Sequence, residues 1–488
     1  MEERAPVSEI TQSFMTGQIS RREFVGRMTA LGLTMTSIGA ILAACGSPST
    51  PGATGAAGAS GGAGASGGAA SASAGAATGP WAADPKSLSA TVKMYKGPFS
   101  ADEAKFQKQF YIDPFNAKFP NIKVDFSSYD WTQGLAQMTA SLSGGQHDVL
   151  YIPEVFFGTF PFKDGLVEDL EPWEQDPELT EITKNFIQGY LTRSKPSSPD
   201  GILGGLPWID NAQAMIFINL DLFQRAGVDP ATWNESYDSM TEAARKIRAL
   251  GGDIYGIMMR ENGAKNFGWF EWYGYMMRAG TDFLNSDFSA PAINTPEFAA
   301  ALQMIQDWHV KDKVMPEFGK YPWEGTRAQF NAGNVGILLD EPQFTGVIAT
   351  AKPAVTFKWD VAKYPPGPKK DVMLANAGLW VMSNQSQNKQ ATWEVMKFWT
   401  IPNQEYDKAT GVMPIITDWK EKGFWASDPL TQKLEGFLPF TQGPIVHPKV
   451  QQMKSICEPL FDDVYAGKKT PQDALAAASD QIAAALKS

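Results

Sequence analysis

Twelve residues stand where their types and settings could do chemistry. Asp130, Glu154, Asp210, Glu324, Asp340 and Glu341 lie at loop ends or helix starts, and Trp131, Trp208, Trp269, Trp272, Trp323 and Trp380 lie within two residues of a glycine, proline or acid. An ionised carboxylate accepts charge-assisted hydrogen bonds from hydroxyls. An indole ring covers the apolar C–H face of a pyranose while its edge stays wet. Together they suit a sugar-binding cleft. Each ring has core packing as its alternative, and for Trp393 and Trp399, at helical spacing, the core wins. The same acids allow a second chemistry, because two carboxylates astride a glycosidic bond hydrolyse it when one has a raised pKa. Spacing along the chain does not measure their separation, so both chemistries stand at this point.

Other chemistries find no support. His147, His309 and His447 are far apart without ligand spacing, so no metal site is expected, and no cofactor. No Gly-x-x-x-x-Gly-Lys-Ser/Thr occurs, so the chain is no ATPase. Gly-x-Ser-x-Gly appears twice, around Ser60 and Ser66, but in a Gly-Ala-Ser tract with no strand-to-helix elbow. The net charge of -11 argues against a nucleic-acid partner, which needs a basic footprint.

Cys45 invites a different reaction. Arg21-Arg22 with Phe24 is close to a twin-arginine export signal, although Gly26 replaces the usual basic residue. Residues 28–44 carry no charge and are only mildly apolar, which suits a cleaved leader better than a membrane span. Leu42-Ala43-Ala44 before Cys45 forms a lipobox, with cleavage expected before Cys45 and diacylglycerol on its thiol. Residues 45–86 then read as a lipid-anchored flexible tether, too poor in apolar side chains to offset ordering entropy. Some forty residues of such chain reach about 35 Å. With Cys45 lipidated, Cys457 has no intrachain partner, so the fold is expected to hold without disulfides.

The elements that must position the twelve residues read as an α/β alternation. Strands are expected at Thr91–Tyr95, Asn121–Phe126 and Asp148–Ile152, with helices between them. Ligands in such sheets lie beyond the carboxyl ends of strands, here Lys96–Phe99, Ser127–Trp131 and Pro153–Phe156. Pro207 and Trp208 suit a loop, Met215–Leu220 a buried strand, and Leu222 onward a helix closed at Gly227. Further on come an amphipathic helix from Ser236 to Leu250, a strand at Ile254–Met259 and the aromatic cluster Phe267–Tyr275. A helix capped by Thr295 follows, then a helix from Trp323 to Ala332 and a strand at Val335–Leu339 ending in Asp340-Glu341-Pro342. Gly378 leads a strand to Ser383, Asn388–Trp399 is helical, and Thr470 caps a closing helix to Leu486.

Several of these orders occur together in one family. The loop, strand, Asn219 and Ala226-Gly227 helix, the Gly144-Gly145-x-x-Asp148-Val149 run, the helix–Gly–strand–acidic turn at 323–342 and the Gly-led strand and helix at 378–399 resemble extracellular solute-binding proteins of ABC importers, carbohydrate-type and maltose-binding-protein-like. The resemblance spans roughly Thr91 to Leu486. It implies a two-lobed α/β fold, each lobe a mostly parallel sheet flanked by helices, with lobe one at 87–212 and 365–410 and lobe two at 213–364 and 411–488. It further implies a ligand cleft between the lobes, lined by the twelve residues and Gly378, and no catalysis. The partners would be a small sugar, permease subunits and the membrane through the lipid anchor, with the binding protein itself a monomer and the ATPase on other chains. A lipid-anchored glycoside hydrolase is the alternative activity, and a polyamine, cation or organophosphate the alternative ligand. Scarce arginine in the proposed loops speaks against phosphate.

Overall fold

The computed structural model describes residues 79–157, 166–186, 203–210, 215–260, 268–416, 428–445 and 447–487. The leader, Cys45 and the tether up to residue 78 lie outside the described residues. Among the described residues the strands are β1 (Ala90–Tyr95), β2 (Ile122–Ser127), β3 (Val149–Pro153), β4 (Leu206–Asp210), β5 (Met215–Asn219), β6 (Tyr255–Met258), β7 (Val335–Asp340), β8 (Trp359–Ala362), β9 (Met373–Leu374), β10 (Gly378–Met382), β11 (Met413–Pro414) and β12 (Thr441–Gln442).

They form a six-stranded sheet in the order β11-β4-β10-β3-β1-β2, a four-stranded sheet in the order β6-β7-β5-β8, and a β9-β12 pair. The expected parallel pairing holds for β1 with β2 and β3, and for β6 with β7. The remaining pairs in the two main sheets are antiparallel, so both sheets are mixed rather than mostly parallel. The cause is the chain's traffic between them. β4 leaves the first sheet at Asp210 and β5 enters the second at Met215; β8 leaves the second at Ala362 and β10 enters the first at Gly378. A strand that enters at the edge where β1 and β3 end must run against them. The carboxyl ends of β1–β4 and of β6–β8 therefore border the crossings.

Local signals end the elements as the residue types require. The Asn219 side chain accepts from the backbone N–H of Asp221 and Leu222, starting the helix Leu220–Ala226, and Gly227 ends it at φ 65°. Ser236 and Ser239 form a reciprocal capping box on the helix Tyr237–Arg248. Thr295 accepts from Phe298 N–H to start the helix Pro296–Val310. The central strands are apolar on both faces because both faces are covered. Leu150 and Ile152 of β3 join one buried cluster while Val149 and Tyr151 join another, and β10 and β5 divide their side chains in the same way.

One local reading changes. Pro207 and Trp208 lie in β4, an interior strand, not in a loop. Proline is tolerated there because the β4–β10 register shifts between Gly378 and Leu379. Met413–Pro414 pairs with β4, so the first sheet extends slightly past residue 411. Near the tether's end Trp81 packs on the first core, and Gln390 Nε2 donates to the carbonyls of Trp81 (3.0 Å) and Ala83 (2.7 Å). Among the described residues no helix is long and apolar enough to cross a membrane.

Candidate functional site

The second sheet builds one side of the candidate site from three neighbouring strand ends. Met258 of β6 pairs with Leu338 of β7, so Arg260 arrives beside Asp340 and Glu341. The helix Trp323–Asn331 lays Trp323 and Arg327 one turn apart, with the guanidinium 4.1 Å from the ring centroid. Asp340 is fully buried, and Arg327 grips it as a fork, with Nε donating at 2.8 Å and Nη2 at 2.6 Å. Trp323 Nε1 also donates to Asp340, at 3.4 Å, and Arg327 Nη2 reaches Glu341 at 3.1 Å.

The chain of charges continues inward. Arg260, with no exposed surface, donates from Nη1 to Glu341 (3.2 Å) and from Nε to Glu271 (3.1 Å). Tyr364, two residues past the end of β8, donates its hydroxyl to the other oxygen of Glu271 at 2.7 Å. Burial opposes the charge on both arginines, but the surrounding carboxylates outweigh it and hold both pKa values above the ordinary range. Burial pushes the Glu271 carboxyl up, against the pull of Arg260 and Tyr364. An acid chain crossed by two guanidiniums thus runs from a half-buried indole to the segment that returns to the first lobe.

At the first sheet the end of β1 is pinned just as firmly. Lys96 is buried, its Nζ donating to Gly97 O (2.7 Å) and Glu103 (2.8 Å) and lying 3.7 Å from the Phe99 ring centroid. Burial lowers its pKa to about 8 despite Glu103. Glu103 also accepts from Gln107 (2.9 Å), Tyr406 (2.8 Å) and the Phe99 N–H (2.8 Å). Phe99 and Trp131, both partly exposed, stack at 6.0 Å with 15° between planes. Trp131 Nε1 donates to Pro98 O.

The other expected site residues divide. Glu154 is buried at the end of β3 and accepts from Ala377 N–H at 3.2 Å, across the returning segment. Asp130 and Glu324 are exposed, each beside its partner tryptophan in sequence. Asp210 ends β4, and its side chain lies outside the described residues. Gly378 serves ring packing, since a Cβ there would sit 2.0 Å from the Tyr151 hydroxyl.

Four tryptophans expected as platforms are core instead. Trp208 packs against Trp380 (4.9 Å), Tyr406 (5.4 Å) and Tyr151 (5.6 Å), and donates to Tyr111. Trp380, on interior β10, is enclosed with it. Trp269 and Trp272 belong to the helix Trp269–Arg278, which is buried on every side; Trp272 meets Phe461 at 5.0 Å and Phe283 at 5.8 Å. A stacking platform needs an uncovered ring face, and these four expose almost none. Trp131 and Trp323 remain.

Sequence reasoning missed Arg260, Arg327, Glu271, Tyr364 and Glu103. Arg327 had a signal, four residues beyond Trp323 on a helix; Glu271 and Tyr364 had none, since 93 residues separate them. The supposed scarcity of arginine is corrected: two guanidiniums meet at the end of β7. The histidines are held structurally, His147 between the hydroxyls of Ser127 (3.0 Å) and Ser141 (2.7 Å) and stacked on Tyr95. Asp176, Glu178 and Glu394 cluster closely enough for a metal, but Lys397 Nζ sits among them at 2.8, 2.6 and 3.0 Å.

Known proteins share this architecture. A binding protein of Brucella abortus (strain 2308) is 26% identical over 420 residues, 83% of this chain and 95% of its own. The sn-glycerol-3-phosphate-binding periplasmic protein UgpB of Pectobacterium atrosepticum is 24% identical over 405 residues, 77% of this chain and 87% of its own. Among solved structures, an ABC substrate-binding protein of Listeria monocytogenes in complex with cycloalternan has a TM-score of 0.69 at 19% identity, covering 82% of this chain and 100% of that one. A solute-binding protein of Thermotoga lettingae bound with α-D-tagatose has a TM-score of 0.70 at 22% identity, with the same coverage. The family model for bacterial extracellular solute-binding proteins matches residues 95–405, a span that takes in strands of both mixed sheets, and the chain belongs to that family.

Proposed function

We propose that this protein is the extracytoplasmic receptor of an ABC importer, taking an uncharged sugar or oligosaccharide between its lobes and delivering it unchanged to a permease. The observation that carries the reading is the Trp323–Arg327–Asp340 unit: a half-buried ring backed by a guanidinium that the buried Asp340 holds in place. Phe99 and Trp131 offer aromatic surface at the end of β1 in the other lobe. Asp130, Glu154, Glu324 and Glu341 border the strand ends of the two sheets and supply further polar contacts, and Asp210 ends β4 beside them. The structural relatives whose titles name cycloalternan and α-D-tagatose support a carbohydrate. Lobe one takes residues 87–212 and 365–410, extended by Met413–Pro414 and by the chain from Trp81, and lobe two takes 213–364 and the chain beyond Pro414. Cys45 carries the lipid that holds the monomer at the extracytoplasmic face of the membrane, and the tether ends on the first lobe at Trp81.

The test is thermal unfolding of the purified protein across a carbohydrate panel, since a ligand that binds only the folded state raises its stability. At least one sugar should raise Tm in a concentration-dependent way and be recovered chemically unchanged. Turnover of that sugar to shorter products would replace the receptor with a hydrolase.

A further inference from the structure

Every hydrogen bond described for Arg260 and Arg327 at the end of β7 goes to a carboxylate of the same buried cluster. Arg260 spends Nε on Glu271 and Nη1 on Glu341, and Arg327 spends Nε and Nη2 on Asp340 and Nη2 again on Glu341. Two positive charges face three carboxylates, and with Glu271 protonated the balance is still only zero. A phosphate or carboxylate ligand would compete with Asp340, which already fills the Nε–Nη2 fork of Arg327. Across the crossings, the Lys96 ammonium is closed over by Glu103, and Glu154 adds another acid at the end of β3. A net charge of -11 gives the whole molecule the same sign.

We infer that this cluster is a charge filter: Asp340, Glu341 and Glu271 balance the charge of both arginines within the fold, so the site rejects phosphorylated and carboxylated ligands and admits neutral polyols. Glu341 is the specificity-determining residue, because among the described hydrogen bonds it is the one that bridges the two guanidiniums. The inference rests on the reading above that this edge meets the ligand. It separates this chain's ligand from a phosphate ester on grounds of charge, where overall likeness to phosphate-ester-binding relatives gives no answer.

The experiment titrates the wild-type protein, Glu341→Gln and Glu271→Gln with sn-glycerol 3-phosphate and with inorganic phosphate, by calorimetry, at low and at physiological salt. Wild type should show no saturable binding up to about 1 mM of either anion. Glu341→Gln, which removes the one carboxylate charge shared by both arginines while Arg327 keeps Asp340, should gain affinity for the phosphate ester by at least about tenfold, and added salt should weaken that gain. Glu271→Gln serves as the second variant should Glu341→Gln fail to fold; it uncommits Arg260 alone and should gain less. Saturable anion binding by wild type overturns the inference, as does the absence of any gain in a folded variant. Failure of the receptor reading would register separately, as a carbohydrate panel without a single hit.

Discussion

Arg327 holds Asp340 by two hydrogen bonds and Glu341 by a third, so its loss leaves a fully buried carboxylate unpaired. Removing one partner of a buried pair is far costlier than removing both. Arg327→Ala should therefore lose about 3 kcal/mol in urea unfolding, and the double variant Arg327→Ala/Asp340→Asn should recover part of it. Trp323→Ala should weaken sugar binding by about 2 kcal/mol while leaving the fold intact, as measured by calorimetry and circular dichroism. Asp282 makes a separate prediction. Its carboxyl is pushed up to about 6 by burial, against hydrogen bonds from Phe283 N–H and the Tyr273 hydroxyl, which itself accepts from Ile445 N–H. A raised carboxyl pKa contributes stability that is full below the unfolded value and lost as pH rises through about 6. Asp282→Asn should accordingly gain on wild type as pH rises, comparing favourably at about pH 7.5 and poorly at about pH 4.5 in thermal unfolding.

At the scale of elements, the helix Phe344–Ala349, which follows β7, meets the helix Gln404–Thr410, which leads back to β11, through two glycines. A Cβ on Gly346 would lie 3.1 Å from Ala409 O, and one on Gly411, at φ 72°, only 2.5 Å from Thr345 Oγ1 and 2.8 Å from Pro342 O. Gly411→Ala should cost about 1–2 kcal/mol through its left-handed backbone alone, with the contact adding more. Gly346→Ala needs only a few tenths of an ångström of separation, so it should keep the fold and lower sugar affinity by holding the two elements apart. These elements also show what sequence could convey. Caps at Asn219, Ser236 and Thr295 and glycine at 227 located helices because each satisfies its neighbours' backbone locally. β4 was misread because Pro207 is a loop signal unless a register shift absorbs it, and that shift belongs to β10, some 170 residues later. The misreading carried Trp208 with it into the list of platforms. Asp340 and Glu341 were legible as an acidic turn after a strand; their guanidinium partners were not, because only the parallel pairing of β6 with β7 brings Arg260 alongside.

For the whole molecule, the crossings at 210–215 and 362–378, with a third expected near Gly411 and placed by β11 just beyond Pro414, connect two sheets, and few strand-end residues have to rotate for one lobe to swing against the other. A ligand favours the closed arrangement only if it touches both lobes, Trp323 on one side and Phe99 and Trp131 on the other. Trp81 packs on the first core and its carbonyl accepts from Gln390, so under the proposed lipid anchoring the first lobe is the one next to the membrane attachment. Cys45→Ser should release the protein from the membrane fraction, and its full retention there would remove the lipid anchor from the account. The most direct measurement of the central claim is small-angle scattering of the purified protein with and without the sugar found by the thermal panel, at saturation verified by calorimetry. Capture between lobes predicts a smaller radius of gyration and a narrower distance distribution with sugar bound. Superimposable curves at full occupancy would contradict it.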